Sequence, residues 1–121
     1  MRRRRKKTRF YRGTYKGVRC DSRWELAFLL YCIDKHHPIK RCSLVFRYTA
    51  YGKEHKYYPD FQIGKTIIEI KGNFRKNLNA KLNAVVKAGY TVILIDKKSI
   101  QPYLEYCYEK YKTEHLEKLY D

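Results

Sequence analysis

The sequence predicts one α/β domain with α+β character: a mixed four-stranded sheet in the order α-β-β-β-α-β-α. Three observations carry that expectation. A length of 121 residues suits one core and is too short for two full ones. Two strand-like runs flank a Tyr51-Gly52-Lys53 turn, and a third follows the Ile63-Gly64-Lys65 turn. A helical segment then separates the third run from a fourth, which makes the last pair parallel, because antiparallel neighbours need no crossover helix.

Each element has its own signal. Ser22, followed three residues later by Glu25, forms a capping box at the head of a helix running to about Lys35. Trp24, Phe28 and Tyr31 recur there at helical spacing, as do Leu26, Leu29, Leu30 and Ile33. Pro38 follows the helix end. Strands are expected over Ser43–Thr49, Glu54–Gln62 and Thr66–Lys71, with Pro59 near the end of the second. Lys76–Ala88 reads as a helix with Leu78, Leu82 and Val85 or Val86 on one side, closed by Gly89. Tyr90–Asp96 is the most strand-like run and reads as a buried parallel strand. A long helix from about Ser99 to Tyr120 completes the chain. Residues 1–12 form a basic N-terminal arm, and 13–121 a single domain.

Charge is the loudest feature. Twenty-eight Lys and Arg face twelve Asp and Glu, a formal net charge of +16. Ten of the basic residues lie within 1–19, which contain no acid. Such a surface expects a polyanion, since each phosphate contact releases condensed counterions. An anionic membrane comes second, and small neutral substrates are disfavoured. No apolar run is long enough to span a membrane, and MRRRRKKTR lacks the apolar core of a signal peptide. The cysteines at 20, 32, 42 and 107 have no zinc-finger or CxxC spacing, and the histidines form no zinc pattern. An intracellular, reducing compartment is expected, with no structural zinc and no organic cofactor.

Two acids carry the chemistry. Asp60 ends one strand, in Tyr58-Pro59-Asp60-Phe61, and Glu69 lies on the next, two residues before Lys71. The Gly64 turn lets Asp60 and Glu69 approach across the hairpin, and residues 69 and 71 share a strand face. Clustered carboxylate oxygens suit a hard cation, Mg²⁺ or Mn²⁺. Lys71 beside them can position a water or offset charge at phosphorus. An E-x-K triplet alone carries little, and solvated acids at a sheet edge are common. The isoleucines at 67, 68 and 70 instead suggest an element inside the fold, where charge is costly unless paired or metal-bound.

Ser22-Arg23-Trp24-Glu25, Tyr58-Pro59-Asp60-Phe61 and Ile68-Glu69-Ile70-Lys71-Gly72, in that order and followed by a helix and a strand, resemble the PD-(D/E)xK nuclease superfamily. The likeness spans residues 22 to 96 and is nearest to small phage-type endonucleases, including branched-DNA resolving enzymes. It implies a restriction-endonuclease-like core and a divalent-metal-dependent DNA endonuclease; the lack of a separate recognition module favours selection of DNA by structure, junctions or nicks, with site-specific cleavage as the other option. It assigns catalysis to Glu25, Asp60, Glu69 and Lys71, and metal binding to Asp60, Glu69, the backbone carbonyl of Ile70, and Glu25. A phage-encoded enzyme of this kind would work in the cytoplasm of a bacterial host. Glu25 has a competing use as the capping-box residue.

Gln62, on the same strand face as Asp60, is a candidate for positioning water or phosphate. Arg9, Arg12, Lys16, Arg19, Arg23, Arg75, Lys76 and Lys81 are candidate DNA contacts, of the backbone-positioning kind. Paired incisions require two centres and hence a homodimer, whereas a nickase works as a monomer. The alternatives are a non-catalytic basic nucleic-acid-binding module and a basic structural protein.

Overall fold

The computed structural model describes residues 12–70 and 77–121. The sequence expectations for the arm up to residue 11, Arg9 included, and for Lys71, Arg75 and Lys76 lie outside the described residues. The chain is α+β and divides into two compact units: the N-terminal part up to His37 with Ser99–Asp121, and Pro38–Lys98.

The first unit begins with an antiparallel hairpin, β1 (Gly13–Tyr15) and β2 (Val18–Cys20). Lys16 and Gly17 between them both have positive φ, 49° and 82°, as a type I′ turn requires. Helix α1 (Arg23–Asp34) follows Ser22, whose Oγ accepts the Glu25 amide at 3.1 Å. Leu26 through Leu30 are consecutively buried, so this helix is covered almost all round rather than along one stripe. Helix α3 (Gln101–Tyr111) packs on α1. The Cys107 thiol donates to the Ala27 carbonyl at 3.3 Å, and Tyr103 lies 5.0 Å from Phe28 and 4.9 Å from Tyr31 between ring centroids.

The expected helix to Tyr120 stops early. Lys112 takes the left-handed conformation at φ 56°, and only a short 3₁₀ turn, Leu116–Leu119, follows. The tail then returns to β1, with the Asp121 amide on the Thr14 carbonyl at 2.8 Å. A Cβ added to Gly13 would stand 2.4 Å from the Tyr120 ring, so that close approach requires glycine.

The second unit holds the mixed four-stranded sheet, in spatial order β3 (Ile39–Arg41), β6 (Phe61–Ile63), β7 (Thr66–Ile70), β8 (Thr91–Ile95). The first two pairings are antiparallel and the last is parallel, reached through helix α2 (Leu78–Lys87). The strand count matches the sequence expectation, but the membership does not. Strand β3 replaces Ser43–Thr49, which instead contributes to β4 (Phe46–Ala50). That strand forms a separate hairpin with β5 (Lys53–Tyr57) around Tyr51 and Gly52, at φ 54° and 73°.

The strand expected over Glu54–Gln62 is therefore two strands in two sheets. Pro59 is the physical reason: without an N–H it cannot carry a ladder through, and the chain changes partners there. The expectation of a buried β8 also needs correction. It ends the described sheet, with Ile95 buried but Ile93 44% exposed. Of the two valines offered for the buried side of α2, it is Val85 that is covered. Val85 packs with Phe46, Tyr57 and Ile67 in the core between hairpin, helix and sheet.

Candidate functional site

The site is built by one tight hairpin. Ile63 and Thr66 close a two-residue turn in which Gly64 alone has positive φ, 56°, the type II′ arrangement that glycine favours at its first central position. The turn fixes the register: Gln62 faces Ile67 and Phe61 faces Ile68. The next step along that register sets Asp60 opposite Glu69. With a side-chain period of two, Phe61, Ile68 and Ile70 fill one buried face while Ile67 and Glu69 lie on the other.

Asp60 and Glu69 are held by different groups. The Asp60 carboxylate accepts the Ile70 amide at 2.8 Å on Oδ2, and Arg41 Nη2 lies 3.7 Å from Oδ1. Its carbonyl accepts the Cys42 amide at 3.1 Å, which ties it to the strand beyond β3. Glu69 is 2% exposed, and its Oε1 accepts the Tyr57 hydroxyl at 2.5 Å. Burial, reinforced by the Glu69 charge, pushes the Tyr57 phenol far above its ordinary range, so it stays protonated and donates. The Lys81 ammonium stands 5.6 Å above the Tyr57 ring. A chain of contacts therefore runs from α2 through the hairpin to the strand carboxylate.

Gln62 is buried beside this pair. Its Nε2 donates to the Gly64 carbonyl at 2.9 Å, which braces the turn, while its Oε1 has no hydrogen-bond partner among the described residues. A buried amide oxygen without a partner costs about 1–3 kcal/mol, so this is a place where a water or ligand donor is accommodated at a gain.

Glu25 belongs to the other unit. Its Oε1 accepts the Asp21 amide at 2.9 Å, one residue before the Ser22 amide that a standard capping box would use. Arg12, Lys16 and Arg19 are exposed on or beside the β1–β2 hairpin; Arg19 is 3.4 Å from Asp21, and Lys16 lies over the Tyr15 ring at 5.8 Å. Arg23 opens α1. Among the described residues no three His, Cys, Asp or Glu side chains group as a metal-binding set.

No protein-family model, no curated protein and no solved structure matches this chain.

Asp60 and Glu69 supply carboxylate oxygens, the donor type that Mg²⁺ and Mn²⁺ prefer, at neighbouring positions in a largely buried setting. That donor set fits a hard divalent cation and not a soft one. Tyr57 has no role that a local sequence pattern announces, yet its hydroxyl orients Glu69 from a strand of a different sheet.

Proposed function

We propose that this chain is a divalent-metal-dependent DNA endonuclease with a restriction-endonuclease-like core, acting on branched or nicked DNA. One observation supports the reading above the rest: the β6–β7 register carries Asp60 toward Glu69, and each carboxylate is held by a specific donor. The order helix, two antiparallel pairings, crossover helix and parallel strand agrees with it. So does the net charge of +16, since a protein that only binds phosphates gains nothing by setting two acids side by side.

In this reading Asp60 and Glu69 hold the metal, with the Ile70 carbonyl as a further ligand, and the family likeness assigns the same role to Glu25. A bound Mg²⁺ supplies charge stabilisation at phosphorus and acidifies a water. Tyr57 keeps the Glu69 carboxylate in one orientation, and the Ile70 amide does the same for Asp60. Lys71 orients the attacking water for in-line approach to the phosphodiester, and Gln62 offers its amide oxygen to a water or the phosphate. Arg12, Lys16, Arg19, Arg23 and Lys81 contact the backbone, together with Arg9, Arg75 and Lys76. A homodimer would present two centres for paired incisions.

The test is cleavage of labelled duplex, nicked, single-stranded and four-way-junction DNA by wild type, Glu69→Gln and Lys71→Ala, with Mg²⁺, Mn²⁺ or EDTA. Metal-dependent cutting is expected from wild type, falling by roughly 10²–10⁴ in each variant while DNA binding survives. Tight binding with no cutting in any metal would replace this proposal by the non-catalytic binding module.

A further inference from the structure

The second unit carries a groove of about 580 Å³ between β4 and α2, separate from the paired acids. Its floor is small: Ala80 and Ala84, on the stripe of α2 that also bears Asn83 and Lys87 at helical spacing. Arg47 and Thr49 come from the exposed face of β4 opposite. The groove thus has a cation on each wall, with an amide and a hydroxyl between them.

Its electrostatic setting is one-sided. No acid occurs between Glu69 and Asp96, and Glu54 is the only acid from Pro38 to Pro59. Glu54 lies 3.9 Å from Arg47, but both side chains are more than half exposed, so the pair is weak and exchangeable. Two exposed cations held about a groove with so little nearby acid attract an anionic polymer.

The position fits a polymer that also reaches Glu69. Lys81 lies over the ring of Tyr57, which bonds Glu69, and Lys87 lies six residues further along the same helix. At 1.5 Å rise per residue that is about 9 Å along the axis. Successive phosphates of one strand advance about 3.4 Å each along a duplex, so the span from Lys81 to Lys87 matches two to three nucleotides.

We propose that the β4–α2 groove is a second DNA contact, in which Arg47 and Lys87 grip phosphates of the strand that flanks the cut, with Asn83 and Thr49 as neutral donors. The assignment of DNA as the polymer rests on the nuclease reading. The side chains concerned need no metal, so they can be tested in its absence.

The experiment is fluorescence anisotropy of a 30-base-pair duplex in EDTA over a range of salt. Wild type is compared with Arg47→Gln/Lys87→Gln and with Lys97→Gln/Lys98→Gln, which removes the same charge beyond β8. Loss of two phosphate contacts is expected to lower the slope of log affinity against log salt by about two in the first variant. The control should change it by well under one.

Equal slopes in wild type and groove variant, or equal losses in groove variant and control, would overturn the proposal. Hydrolysis of bis-p-nitrophenyl phosphate with Mn²⁺, a substrate too small to need the groove, is read on the same proteins. Its absence from wild type would overturn the nuclease reading while leaving the groove result intact.

Discussion

Both units bury carboxylates, and they treat them in opposite ways. Asp34 ends α1, where the helix dipole disfavours negative charge. It is met by the Tyr106 hydroxyl at 3.0 Å, the Tyr111 hydroxyl at 2.8 Å and the Lys110 ammonium at 3.0 Å. One acid with three donors, one of them cationic, is a closed structural knot between two helices. Asp60 and Glu69 are two acids brought to neighbouring register positions by a single tight turn. Like charges brought together raise each other's cost, and on the nuclease reading a cation between them offsets it. The number of acids per knot, more than their burial, separates the structural knot from the proposed metal site.

The largest effect is expected from removing a donor without touching an acid. Tyr57→Phe deletes only the hydroxyl that Glu69 accepts. A hydrogen bond to a charged group is worth about 1.5–3 kcal/mol, so the metal concentration for half-maximal cleavage should rise roughly tenfold or more. The Michaelis constant for DNA should stay near its wild-type value. Titrating cleavage with Mg²⁺ separates the two. A lowered melting temperature with an unchanged Mg²⁺ profile would reduce Tyr57 to a core residue.

That residue also marks the limit of what the sequence discloses. The β6–β7 register that carries Asp60 toward Glu69 is legible, because a two-residue turn at Gly64 fixes it by counting. The parallel β7–β8 pairing is legible too, since a helix separates the strands. Tyr57 is not: its bond to Glu69 joins β5 to β7 across two sheets, and no local pattern encodes that. Strand β3 is short and two-thirds basic, too weak a signal to read. The β1–β2 hairpin carries the same signal as the second one, for Lys16-Gly17 matches the Tyr51-Gly52 turn. Pro59 likewise contained the split of the second strand into β5 and β6.

The structural knot makes its own prediction, in pH. Burial raises the Asp34 carboxyl, but hydrogen bonds from Tyr111, Lys110 and Tyr106 outweigh it and hold the group below its usual range. A carboxyl depressed in the folded state contributes stability above its unfolded value of about 3.9, lost as pH falls through the folded value. Thermal melts should therefore show an acid limb that begins below about pH 4 and flattens in Asp34→Asn. At neutral pH Asp34→Ala should cost about 1–2 kcal/mol, the lower part of the charged range because Lys110 is half exposed. Cleavage should be unaffected. A variant that lost cleavage and kept its acid limb would reverse the roles of the two carboxylate sites.

The smallest effect compares the thiols of the two units. Burial pushes Cys32 and Cys107 in the first unit up to about 12, and raises Cys42 in the second by less. At pH 8 a thiol of that kind is thiolate in only about one molecule in ten thousand, and the thiolate is the reactive form. Cys32 and Cys107 are also buried, whereas Cys42 is partly open. Alkylation followed by peptide mass spectrometry should modify Cys42 first, with Cys32 and Cys107 following only at the rate of unit opening. That order ties reactivity to the packing of α1 against α3, which closes over Cys107 through the Ala27 carbonyl. Simultaneous modification of Cys42 and Cys107 would mean that the helical unit opens as readily as the strand beyond β3, and that its aromatic contacts contribute little to holding it closed.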